Sequence, residues 1–226
     1  MTKFKLISRS RKDKSTQFTG ISPARRYVRR AAVVFMAVGI LLTSTVITSS
    51  PALAYPDIPS DMNRNKYPSG SVCVGSTLNS TSYPVGAIAQ QWNVAVPPLA
   101  LSFHATCTGV GSKMTVGVFN NPSYNSCLAF TNTETFPVLD ETSQMNYWQY
   151  GVGVYINVGI PGCVSTAQRR GHQIAAGIGY ALGLKILTTS GYANRVMCTC
   201  SLDTLRAPDS TSASRVWEIY IGKYGG

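Results

Sequence analysis

Six cysteines, Cys73, Cys107, Cys127, Cys163, Cys198 and Cys200, set the strongest limit on what this chain can become, because all of them lie beyond a leader that has none. An even set in an exported chain implies three disulfides, which persist only in an oxidising compartment. Spacing alone does not choose among the pairings. Cys198-Thr199-Cys200 is too tight for an easy mutual bridge, so each is expected to reach elsewhere. A zinc knot is the competing reading, but no C-x-x-C pair exists and the chain has just two histidines, His104 and His172.

Residues 1–54 read as a signal peptide. The basic n-region, 1–30, holds ten of the chain's 20 Lys and Arg residues against a single acid, Asp13. An apolar h-region covers 31–47, and Pro51-Ala52-Leu53-Ala54 supplies an A-x-A cleavage site at 52–54. The strongly apolar stretch, 31–42, is shorter than the roughly 20 residues that span a bilayer. Continuing it to Ile47 keeps a retained anchor as the alternative to cleavage. Arg25-Arg26-Tyr27-Val28 faintly resembles a twin-arginine signal, and general secretory export is the default. The protein is thus expected to be secreted, or held at the cell envelope, and to touch membrane only through an uncleaved leader.

A formal net charge of +11 would by itself point to nucleic acid, yet beyond residue 54 ten bases face eight acids. Phosphate tracking needs clustered Lys and Arg, and there only Arg169-Arg170 are adjacent. No nucleic-acid partner is expected.

Residues 55–82, rich in Pro, Ser, Asn and Tyr, read as an irregular amino-terminal arm pinned by Cys73. A short helix is predicted over 85–92 from Ile88 and Trp92 at i and i+4. Alternation predicts strands over 99–104, 114–119 and 127–130. The clearest, 152–158, places Val152, Val154, Ile156 and Val158 on one side and Gly153, Tyr155 and Asn157 on the other, as in a half-buried strand. Helical spacing runs over 164–184, ended by Gly183. Gly177 and Gly179 inside it each cost about 1 kcal/mol relative to Ala, which implies a closely packed neighbour. A last helix is predicted over 212–221, capped by a serine, with Val216, Ile219 and Tyr220 inward. The fold class is α+β.

The stretch Gly171-His172-Gln173-Ile174-Ala175-Ala176-Gly177-Ile178-Gly179-Tyr180-Ala181-Leu182-Gly183-Leu184 carries the one recognisable motif. It resembles the active-site helix of the metzincin zinc proteases, closest to the matrixin-like secreted enzymes of bacteria, where H-E-x-G-H-A-L-G-L-x-H is usual. In that chemistry two histidines at i and i+4 bind zinc, the intervening Glu is general base, and a third His closes the site. Aligned on Gly179, Ala181, Leu182, Gly183 and Leu184, the ligand positions become Ala176, Tyr180 and Ile186, and the base becomes Gly177. A second register places His172 and Gln173 at the first ligand and the base, and puts Ala176 and Leu182 at the other ligands. Neither register supplies three histidines. The resemblance covers about 85–220. It implies a metzincin-like domain over 83–226, with a mixed twisted sheet, a long former active-site helix, a Met-turn at Met197 and a closing helix after Ala207-Pro208.

The resemblance further implies a pseudoprotease that keeps a substrate groove without catalytic residues, zinc or any other cofactor, and binds an extracellular peptide or protein. Its candidate binding residues are Tyr155, Tyr180 and His172, with strand addition along 151–159. Met197 is expected to pack beneath the former cleft. The bland reading puts His172 on the surface and His104 in a structural or exposed position. Tyr147, Trp148, Tyr150 and Tyr155 form an aromatic cluster that either binds peptide or glycan or fills the core. Two other classes remain open. One is an active zinc metalloendopeptidase with substitute ligands, or an unrelated hydrolase; the other is a structural cell-envelope or surface protein.

Overall fold

The computed structural model describes residues 58–109, 111–136, 144–199 and 207–225. The leader reading and Cys200 lie outside them. Among the described residues no helix is long and apolar enough to cross a membrane.

The architecture is α+β. Strands β1 (Asn65–Lys66) and β2 (Ser71–Gly75) come first, followed by helix α1 (Val85–Ala95) and strands β3 (Ala100–His104), β4 (Lys113–Phe119) and β5 (Leu128–Thr131). Two short strands, β6 (Thr135–Phe136) and β7 (Asn146–Trp148), precede β8 (Val152–Asn157). Helices α2 (Pro161–Val164), α3 (Ala167–Ala181) and α4 (Ser210–Tyr220) complete the order. Five strands form the main sheet in the order β3-β2-β4-β8-β5. The first four run parallel and β5 runs antiparallel along β8. A parallel neighbour needs a crossover, and α1 supplies it between β2 and β3. A smaller sheet has the order β1-β7-β6.

Side chains alternate across the sheet, which separates its two faces. Val154 meets α3 at Gly177, and Phe103 meets α1 at Gly86, so both helices cover the face carrying Val72, Val74, Met114, Val116 and Ile156. Trp92 of α1 is fully buried, and its Nε1 donates to the Ala175 carbonyl of α3 at 3.3 Å. The opposite face, with Ser102, His104, Thr115, Gly117 and Tyr155, is open and polar.

Between described residues two disulfides form, Cys73–Cys107 and Cys127–Cys163. The first ties β2 to the loop after β3. The second ties the start of β5 to α2. The expectation about Cys198 and Cys200 falls partly outside the described residues.

Several sequence readings need correction. The arm expected to be irregular contains β2, which lies between β3 and β4 inside the sheet. Four of its five residues are buried on both faces of the sheet, so it shows no apolar and polar alternation. The helix expected over 164–184 is two helices, because Thr166 caps a fresh start and its side chain accepts from the Arg169 N–H at 3.1 Å. Gly183 does end α3, at φ +111°. Leu184 N–H donates to Gly179 O and Gly183 N–H to Tyr180 O, the Schellman pattern. The last helix is capped by Asp209 rather than a serine: its carboxylate accepts from Ser212 N–H at 2.9 Å and from Val196 N–H at 2.8 Å. Val216, Ile219 and Tyr220 face inward as expected.

Candidate functional site

Helix α3 lies against β8 with almost no clearance. A Cβ on Gly177 would run into Val154 Cγ1, so the position aligned with the general base is held to a hydrogen by the sheet beneath it. On another side of the helix, a Cβ on Gly179 would stand 2.5 Å from Met197 Sδ and 3.0 Å from the Trp92 ring. Met197 is buried and packs under α3 as expected. Ala176, at the first ligand position, is fully buried. Tyr180, one turn later, stacks on Phe130 of β5 with ring centroids 3.8 Å apart, and the Trp148 ring stands 6.1 Å away. Burial pushes the Tyr180 phenol above its ordinary pKa of 10.0. Ile186 is half-buried against the core. A methyl group, a stacked phenol and a sec-butyl chain do not fit a zinc ion, whose protein ligands are thiolate, imidazole or carboxylate.

His172 is not on the surface. It is buried, and its Nε2 lies 2.8 Å from the Cys198 carbonyl oxygen. A carbonyl only accepts, so Nε2 carries the proton and donates. The bond ties the second turn of α3 to the 197–199 segment, and with it His172 leaves the list of accessible binding groups. His104 is exposed, on the open face of the sheet.

The two tyrosines proposed to share a groove stand on opposite faces of the sheet. Tyr155 lies over Gly117 and Gly153, where added Cβ atoms would stand 2.9 Å and 2.6 Å from its ring. Tyr180 belongs to the helical face. The aromatic cluster is likewise dispersed: Trp148 is buried and donates from Nε1 to the Ala181 carbonyl at 2.8 Å, whereas Tyr150 is 55% exposed.

Strand β8 is not an edge. It pairs with β4 on one side and β5 on the other, so no peptide can add along 151–159. Nor is it half-buried, for only Tyr155 of its six residues retains partial exposure. Asn157 looked solvent-facing but is buried, with Oδ1 accepting from Asn121 N–H at 3.1 Å and Gly159 N–H at 3.0 Å. Its Nδ2 donates to Asn121 O at 2.7 Å.

The real edges are β3 and β5, and they are finished differently. Asn93 of α1 closes β3, since Leu101 N–H donates to Asn93 Oδ1 at 2.8 Å and Asn93 Nδ2 donates to Leu101 O at 2.9 Å. On β5, Asn157 N–H donates to Cys127 O at 2.9 Å, so Cys127 faces β8 in a hydrogen-bonded pair. Antiparallel ladders alternate, and the backbone groups of Leu128 and Phe130 therefore point outward. Ser126 Oγ serves both groups of Leu128. Phe130 N–H and C=O have no partner among the described residues, and they sit beside the Phe130–Tyr180 stack. Sequence reasoning missed Phe130 because an edge exists only once neighbouring strands are known. No family model matches the chain, and no curated protein matches it.

Proposed function

We propose that this chain is an exported, catalytically inactive relative of the metzincin proteases that binds an extended peptide along β5. The outward N–H and C=O of Phe130, without a partner among the described residues and next to the Tyr180 ring, carry the reading. A peptide strand laid there gains backbone hydrogen bonds from the edge and an apolar contact from the stacked rings. The groove belongs to this strand rather than to β8. Descent from a protease is supported by Met197 packed beneath α3, by the Gly183 turn that ends the helix, and by a closing helix after Ala207-Pro208. Loss of catalysis is supported by Ala176, Gly177 and Ile186, none of which can hold a metal or move a proton. Export is supported by the apolar leader and by two disulfides in the domain that follows it.

The test is binding of the full chain to a display library of extended peptides, followed by titration of the best binder. Phe130→Pro removes the edge N–H and Tyr180→Ala removes the ring; each is expected to weaken the titrated peptide about tenfold or more. Binding that ignores both changes overturns the proposal. Stoichiometric zinc that is lost in His172→Ala, together with casein hydrolysis, would establish the active metallopeptidase instead. A library without any binder favours the structural role.

A further inference from the structure

The open face of the sheet carries a cleft of about 660 Å³, within the range of roughly 300–1,000 Å³ typical of small-ligand sites. It lies where β4 and β8 begin and β5 ends, and Asn132, two residues beyond Phe130, is its nearest link to that edge. Lys113, Thr115, Asn132, Gln149 and Tyr150 line it, with Gly151 among the residues of its floor. A Cβ on Gly151 would collide with Lys113 Cγ, so glycine there is what lets the lysine stem lie flat across the cleft.

The lining has a definite chemistry. Two carboxamides and a hydroxyl both donate and accept, which suits paired hydroxyl groups better than a purely ionic or apolar ligand. Tyr150, 55% exposed, offers an aromatic face to stack on the C–H side of a sugar ring. Lys113 is the only ionisable group with a charge at neutral pH among these residues, and among the described residues it takes part in no ion pair. An uncompensated ammonium selects an anionic ligand. We infer that this cleft binds an acidic oligosaccharide built of uronic-acid units, with Lys113 Nζ taking a carboxylate, Asn132, Gln149 and Thr115 taking ring hydroxyls, and Tyr150 stacking. An acidic peptide is the lesser fit, because the walls present side chains rather than a strand edge to its backbone.

Calorimetric titration of the full chain in ~0.15 M salt, where exposed charges act over about 8 Å, separates the cases. The probes are tri-galacturonate, neutral maltotriose and tetra-glutamate. The leader's ten basic residues are common to every variant, so only the difference made by Lys113→Met counts. Tri-galacturonate is expected to bind, maltotriose to bind about tenfold more weakly or less, and Lys113→Met and Tyr150→Ala each to weaken the acid sugar about tenfold. The unfolding midpoint of both exposed-site variants should stay where it is. Binding of maltotriose or tetra-glutamate that is as strong as that of tri-galacturonate and as sensitive to Lys113→Met, or tri-galacturonate binding untouched by Lys113→Met, overturns the inference, as does no binding at all.

Discussion

Gly177 is where helix α3 packs directly on strand β8. The helix approaches β8 so closely that Val154 Cγ1 occupies the space a side chain would need. Two glycines within a helical pattern had already implied a close neighbour, and the neighbours are Val154 for Gly177 and Met197 with Trp92 for Gly179. Gly177→Ala should therefore lower stability by about 1–3 kcal/mol through overpacking, although Ala is the better helix former by about 1 kcal/mol. Gly162→Ala, where an added Cβ meets nothing within 4 Å, serves as the reference, and urea midpoints compare the two. Gln173 poses the opposite problem. It is fully buried, and neither Oε1 nor Nε2 has a partner among the described residues. An unpaired buried amide costs about 1–3 kcal/mol, so Gln173→Met, similar in size and free of that cost, should raise the urea midpoint. A lower midpoint in Gln173→Met would contradict this account.

At the scale of elements, strand edges and helix ends are closed by single side chains, some of which also reach a second element. Asn93 closes the β3 edge with a pair of hydrogen bonds that imitate a neighbouring strand. Replacing it by Ala exposes Leu101 as a pairing site, the hazard that edge strands carry. Asn93→Ala is expected to cost about 1–3 kcal/mol and to raise the dimer fraction in sedimentation velocity at high concentration. Unchanged sedimentation would mean the edge is guarded by something else. Asp209 joins two elements through one carboxylate, serving the first turn of α4 and the Val196 N–H just before Met197. An ordinary N-cap is worth about 1 kcal/mol. Asp209→Ala should cost more, about 2–3 kcal/mol, because a buried-segment donor is orphaned as well; Asp209→Asn, which keeps the acceptor geometry, should recover part of it in thermal melts. Asn63 plays a similar part at the carboxyl end of α3, donating from Nδ2 to Tyr180 O and Leu184 O.

At the scale of the molecule, two buried phenols link stability to pH. Tyr67 lies beneath the sheet's lower end, its hydroxyl donating to Lys113 O at 2.9 Å, and Tyr220 Oη accepts from Tyr67 N–H at 3.2 Å. Burial raises the pKa of both above the ordinary 10.0. Below pH 10 both phenols are protonated in the folded and the unfolded chain, and their contribution is constant. Above it the unfolded chain releases protons first, so it binds fewer than the folded one and stability falls as pH rises. Urea midpoints should thus hold to about pH 10 and then decline, with a shallower decline in Tyr67→Phe. A midpoint that is flat through pH 11 would refute the linkage. The Cys73–Cys107 and Cys127–Cys163 disulfides close loops of 34 and 36 residues, each worth about 3–4 kcal/mol by chain entropy. Reduction should accordingly lower the melting temperature sharply.

The amino-acid order by itself determined the α+β class, helix α1, strands β3, β4, β5 and β8, the end of α3 at Gly183 and the inward face of α4. Each is written in local periodicity or in a residue with a special backbone conformation. What it could not decide was which strand sits between which, since β2, buried on both faces, has no alternation to announce it and β8 reads the same whether one edge or both are paired. That ordering moved the open edge to Phe130, buried His172 and set Tyr155 and Tyr180 on opposite faces. Burial and edge status belong to pairs of elements brought together across the chain, and only the assembled sheet and helices create them.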